Sequence, residues 1–348
     1  MDFPNTIFEF ITQEKNAYET CEITIFDNFT WNMPKHIQTS LSLKYSKYLY
    51  ASNDIKYKNP IRNIVIAILR LRYRAESIDV KDVVLYIDDP EKHHLSFLVK
   101  KYYEDVFLIE NDLDSFFDKT QEEVIDLGGG LVKKGQSAVP ELVRLQSIAF
   151  CDQTDIMGSP IGLKFTFSPD KLREKEEIGW GDTKNGASIS IDELIRLAKK
   201  DKDPSTSQQE NKNQTPGKQI EVYVVRGSMP EKYLEGSSEK LIKQVQVVGF
   251  YQDEKGKKGV TLFKNKETED VYKFHNPEEI YNRALGFGGV EELVDSQLAT
   301  NFAEVAKFDM LKAASKIVFQ TTDDAYANRQ KIKDMENLEI TVTKEGSQ

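Results

Sequence analysis

Apolar residues in this chain come in short runs, and that limits what it can fold into. The most apolar stretch, Ile64 to Leu69, is about a third of the roughly 20 residues that a membrane-spanning helix needs. A chain of this kind has to bury its apolar faces by packing one element on another. Its 348 residues are enough for a sizeable core and for one to three domains. It opens Met1-Asp2-Phe3-Pro4, without the basic region or apolar core of a signal peptide. Two cysteines, Cys21 and Cys151, cannot make a disulfide framework or a four-cysteine zinc site. Membrane-spanning, secreted and disulfide-stapled classes are therefore not expected.

The periodicities mix two kinds of element, so the expected fold class is α+β. Residues 1–58 read as an irregular, partly helical lead. Asn59-Pro60 opens a helix in which Ile61, Ile64, Val65, Ile68 and Leu69 fall at helical spacing. Residues 78–87 read as a strand that ends in the turn Asp88-Asp89-Pro90. A helix follows over 95–107. Another is capped by Asn111 or Asp112 and stops at Gly128-Gly129-Gly130, with Leu113, Phe116, Phe117 and Val124 on one face. Two strands, 131–134 and 141–145, come next. From Ile161 the chain reads strand to Phe167, a helix started by Ser168-Pro169, and a capping box at Ser190 and Glu193. Residues 201–219 lack apolar side chains to offset their ordering entropy and are expected to be a mobile loop. Strands over 220–226, 243–252 and 259–263 follow, the last two as a hairpin. A long helix is expected from Val290 to Val318, with Val290, Leu293, Val294, Leu298, Phe302, Val305 and Leu311 as its stripe. A strand over 338–342 closes the chain.

The net charge of −10, from 57 acidic and 47 basic residues, hides an asymmetry. Lys44, Lys47, Lys56, Lys58, Arg62, Arg70, Arg72 and Arg74 stand against the single acid Asp54, a local charge of +7, which leaves −17 on the rest. Tyr45, Tyr48, Tyr50, Tyr57 and Tyr73 interleave with them. Such a segment can face a nucleic-acid strand. Charge asymmetry reports association more readily than the partner's identity, so solvated stems or pairing with acids on a neighbouring subunit is the favoured reading.

Few patterns point to catalysis. Gly130 to Ser137 has the spacing of a phosphate-binding loop, but Gln136 stands where the lysine belongs and a helix precedes it. Gly286, Gly288 and Gly289 precede a helix, yet Glu291 takes the place of a third fingerprint glycine, and Glu291 and Glu292 would repel a pyrophosphate. Asp88, Asp89, Glu91, His93 and His94 could hold a metal for phosphodiester cleavage. They share one short turn, however, whereas catalytic metals draw ligands from separate rigid elements. Asp201, Asp203 and Ser205 lack the glycine of a calcium loop. His36 and His275 have no adjacent motif. The chain reads as a structural or interaction protein, not an enzyme, with no cofactor.

Two blocks of sequence carry a resemblance. The first runs from Asn59-Pro60 through Asn111-Asp112 to Asp126-Leu127-Gly128-Gly129-Gly130-Leu131-Val132 and Leu145-Gln146-Ser147-Ile148. The second is Ile280-Tyr281-Asn282-Arg283-Ala284-Leu285-Gly286-Phe287-Gly288-Gly289-Val290-Glu291-Glu292-Leu293, then Gln297, Asn301 and Asp309. Their order and spacing resemble the portal proteins of tailed bacteriophages over most of residues 59–342. The resemblance implies a portal-like α+β fold: a lead over 1–58, a wing-like α/β region over 59–158 with helices and short strands, a mixed clip/stem-like insertion over 159–278, and a long stem-type helix with a terminal strand over 279–348. It implies a ring homo-oligomer, normally a dodecamer, at one capsid vertex of the virion, assembled in the host cytoplasm. Its partners would be the terminase large subunit, capsid and neck or head-completion proteins, and double-stranded DNA passing without sequence-specific contacts, with no membrane. Portals usually continue with a tunnel loop and helical crown, so a C-terminally incomplete chain is expected. Another phage structural or adaptor protein, or a metal-dependent nuclease using the Asp88–His94 turn, is the alternative.

Overall fold

Thr6 and Glu9 fix the start of the first helix. The Thr6 hydroxyl accepts from Glu9 N and the Glu9 carboxylate accepts from Thr6 N, a reciprocal capping box. In the computed structural model of the chain, which describes residues 3–27, 29–45, 62–76, 85, 87–135, 139–158, 160–199, 219–234, 238–253, 256–267 and 269–315, this cap opens α1 (Ile7–Thr20). The hairpin β1 (Ile23–Phe26) and β2 (Phe29–Trp31) follows, then α2 (Met33–Lys44), started by Asn32, whose side chain accepts from Lys35 N. Within the described residues, the lead expected to be irregular and partly helical holds two capped helices and a hairpin. Phe10, Ile11 and Tyr18 of α1 and Met33 and Ile37 of α2 are buried, because helical spacing gives each helix an inward face, and Trp31 at the end of β2 is buried with them.

Helix α3 spans Val65–Ala75, so within the described residues it starts later than Asn59-Pro60, which lie outside them. Asn63 takes the capping role instead, accepting from Ile66 N at 3.0 Å. Most of the expected strand over 78–87 also lies outside the described residues. The helix expected over 95–107 runs on as α4 (Ser96–Tyr102), a wide π turn (Tyr103–Phe107) and α5 (Leu108–Glu110). Next is α6 (Leu113–Leu127). Asp112 precedes it in left-handed backbone and makes no side-chain cap, and Gly128 ends it at φ 76. The antiparallel strands β3 (Gly130–Lys134) and β4 (Pro140–Val143) form as expected, joined on the other side of β3 by β10 (Tyr272–His275).

The remaining strands build the largest sheet. β5 (Ile148–Phe150), β6 (Ile161–Phe167), β7 (Ile220–Pro230), β8 (Leu241–Asp253) and β9 (Gly256–Lys266) pair antiparallel in that order. Both faces are covered. Val222, Val224, Val245 and Val247 meet Leu172 of α7 (Pro169–Glu174) and Ile191, Leu194 and Ile195 of α8 (Ile191–Lys199). Tyr223, Val225, Val248 and Phe250 point the other way, into a cluster with Phe10 and Ile11 of α1. Alternation along a strand sends neighbours to opposite faces, and each fully buried aliphatic side chain contributes about 2 kcal/mol. That second cluster draws on residues from Phe10 to Leu285, so one core joins all four expected regions. The loop over 201–219 lies outside the described residues except for Gln219.

The long helix expected from Val290 is broken. α9 (Gly289–Glu292) and α10 (Val294–Ser315) are separated at Leu293, where φ is −95 and ψ −2. Residues beyond Ser315, including the expected strand over 338–342, lie outside the described residues.

Candidate functional site

The two sequence blocks meet in space at their glycines. Gly128 can adopt its positive φ without strain, and its carbonyl accepts from Gly286 N at 2.9 Å. A Cβ on Gly128 would overlap the Gly286 carbonyl, and one on Gly288 would overlap the Asp126 carbonyl. Gly129 lies against the Phe274 ring, Gly130 against Val124, and Gly289 against Leu69 and Arg72. These glycines therefore let the end of α6 lie backbone to backbone against the segment that enters α9.

Arg283 pins this junction. It is 4% exposed. Its two terminal nitrogens bind the Glu291 carboxylate at 3.0 and 2.5 Å, and one also donates to the Gly286 carbonyl at 2.9 Å. The guanidinium lies 4.9 Å from the Trp31 ring centre and 5.4 Å from that of Phe287, a fork-and-stack geometry that suits arginine and not lysine. His36 of α2 reaches the same carboxylate, Nε2 to Oε2 at 3.6 Å. Burial pushes the His36 imidazole down to about 4 and the Arg283 charge adds to this, against the opposing pull of Glu291. Trp31 Nε1, His36 Nε2 and Arg283 Nε have no hydrogen-bond partner among the described residues. Tyr281, from the same block, is 78% exposed. Glu292 turns the other way and binds Arg72 at 2.9 Å.

The basic segment is partly neutralised within the chain. Lys44 Nζ and the Tyr73 hydroxyl both donate to the buried Asp126 carboxylate. Burial first, and this hydrogen bond second, raise the Tyr73 hydroxyl well above its usual range. Arg72 binds Glu76 at 2.7 Å besides Glu292. Arg62, Arg70 and Arg74 are exposed. Tyr73 and Arg74 line a cleft of about 370 Å³ with Asp118, Gln121 and Glu122 of α6. Lys47, Lys56 and Lys58 lie outside the described residues.

The acid-and-imidazole turn serves its own backbone. Asp89 Oδ1 accepts from Glu91 N at 3.0 Å, Asp89 pairs with Lys92, and His93 Nδ1 lies 3.4 Å from the Ile87 carbonyl. Among the described residues no group of three or more His, Cys, Asp or Glu could hold a metal ion. Gly130 opens a strand and no helix, so the phosphate-loop spacing has none of its required context. Burial pushes the Cys151 thiol up to about 12, against its hydrogen bond with Tyr18, the state of an inert thiol. No described helix is long and apolar enough to cross a membrane.

What the site does chemically is fasten. Its charged groups are spent on one another and on backbone, and they fix where α10 leaves the body. Sequence reasoning found the glycines, Arg283 and the two glutamates, and placed Asp126 within the first block without a role; it gave His36 no motif and missed Trp31, because both come from distant positions. The inner part of α10 is held: Gln297 is buried, and Val294 packs with Val65, Leu69 and Val290. The outer part is bare, with Phe302 65%, Met310 73% and Leu311 56% exposed. No protein-family model matches this chain, and no curated protein sequence matches it.

Proposed function

We propose that this chain is a structural subunit of a tailed-phage head, a portal-type protein that assembles into a ring at one capsid vertex. The observation that carries this reading is α10, whose outer half carries Phe302, Val305, Phe308, Met310 and Leu311 on several sides and leaves them exposed. Large apolar side chains exposed together mark a contact surface, and further copies of the same chain would bury this one. The interlock of the two resemblance blocks supports the same reading, since Gly128, Gly286 and Gly288 make one joint from segments far apart in sequence.

In this account the ring, a dodecamer as in the family, conducts double-stranded DNA inward during packaging and outward during ejection, and it docks the terminase motor and then the neck proteins. A conduit must not grip. Each neutralised phosphate adds affinity through counterion release, so a net acidic ring with only local positive charge gives a low-friction channel. The Lys44 and Arg72 charges stabilise the subunit itself, while Arg62, Arg70 and Arg74 remain for a neighbouring subunit or the DNA. Native mass spectrometry over a range of concentrations tests this: assembly should run to one dominant ring size. An adaptor or scaffold that never closes a ring would give monomers or open-ended series instead.

A further inference from the structure

Helix α3 begins on a cap that a distant part of the chain supplies. The first N–H groups of a helix have no partner within it. Asn63 takes one of them at α3. Gln297, in the first turn of α10, takes two more: its Oε1 accepts from Ile64 N at 2.9 Å and from Val65 N at 3.4 Å. Its Nε2 donates to the Arg62 carbonyl at 3.1 Å and to Asn301 Oδ1 at 2.8 Å. Gln297 is 2% exposed, so water does not replace these bonds while α10 stays in place.

The rest of α10 is built as an arm. From Phe302 to Ser315 it extends about 21 Å at 1.5 Å per residue, and its described side chains there are exposed apart from a half-buried Glu304. The break at Leu293 puts a joint just inside the base. Across that joint Glu292 binds Arg72 of α3.

We infer that α10 is a lever coupled to α3 through Gln297. Displacing α10 about Leu293 withdraws the cap and frays the start of α3; fraying α3 in turn loosens the base of α10, as linkage requires. A load on the outer half of α10 is thereby transmitted to the helix that presents Arg70 and Arg74. The coupling rests on the hydrogen bonds alone and holds whatever covers α10, so it stands or falls separately from the portal reading.

Hydrogen exchange read by mass spectrometry on the full chain tests it. Gln297→Leu deletes the acceptor. Ile64→Pro deletes one donor at a φ of −84, close to the angle proline imposes. The expected result is at least tenfold faster exchange over 65–70 in Gln297→Leu and over the first two turns of α10 in Ile64→Pro, with the double variant no faster than the faster single one. Asn301→Ala keeps the Gln297 acceptor and its bond to the Arg62 carbonyl and should leave α3 within twofold of wild type. Protection of β7 and β8 reports that the fold is intact; if Gln297→Leu loses it, Ile64→Pro decides the matter. Exchange changes confined to the substituted helix, or effects that simply add, overturn the coupling.

Discussion

Lowering the pH from 7.5 to 5 should remove stability from this fold through His36. In the folded chain burial holds the imidazole at about 4, and Arg283 beside it works in the same direction. In the unfolded chain it returns to its ordinary value near 6.5. The folded state therefore excludes a proton that the unfolded state binds. The contribution is complete above about pH 6.5 and is lost as the pH falls from there toward 4, below which both states are protonated. At about 1.4 kcal/mol per pH unit, the loss between pH 6.5 and 5 is about 2 kcal/mol. With a urea slope of about 2 kcal/mol per molar, the midpoint moves by about 1 M. The groups facing the ring are Glu291 of α9 and Arg283, so protonation also sets a second cation against Arg283 for one carboxylate. The assay is urea unfolding of wild type and His36→Gln at pH 7.5 and 5. The variant should lose about 2 kcal/mol less than wild type across that interval. Parallel pH profiles for the two proteins would refute the reasoning.

Other consequences are equally direct. Arg283→Ala leaves the part-exposed Glu291 carboxylate and the Gly286 carbonyl without their guanidinium partner and should cost about 1–3 kcal/mol, read as a drop in Tm; Arg283→Lys should recover little of it, since an ammonium cannot make the fork or the stack. Gly288→Ala forces a Cβ into the Asp126 carbonyl and should cost about 1–3 kcal/mol in the same measurement. Ellman's reagent on the native protein should titrate one thiol quickly, the exposed Cys21, and the partly covered Cys151, whose thiol is held protonated, much more slowly; two equally fast thiols would contradict that difference. Phe302→Glu with Met310→Lys should leave the urea midpoint nearly unchanged, as surface positions do, yet shift sedimentation velocity toward monomer.

Local chemistry was legible where it acts within a few residues. The strand Ile161–Phe167, the Ser168 cap and the Gly128 stop lie where alternation, capping and left-handed backbone put them. The break at Leu293 was not legible, because Leu293 and Val294 continue the helical stripe; what distinguishes them is packing against Val65 and Leu69 of α3. The partner of Lys44 was not legible either, since Asp126 lies 82 positions away. The same holds for the Arg283 cluster, assembled from Trp31, His36 and Glu291, where only the Arg283–Glu291 pair shares a motif. Apolar period also cannot tell which chain covers a helix. The stripe from Val290 to Leu311 reads as one face, yet its first part packs within the subunit and its second part faces outward.

The central claim is that copies of this chain close into a ring through surfaces that include the outer half of α10. Negative-stain class averages of the wild-type protein beside Phe302→Glu/Met310→Lys test it most directly. The account predicts rings with a central hole for the wild type and isolated particles for the variant. Isolated particles from both proteins at high concentration, or rings that survive the substitutions, would contradict it.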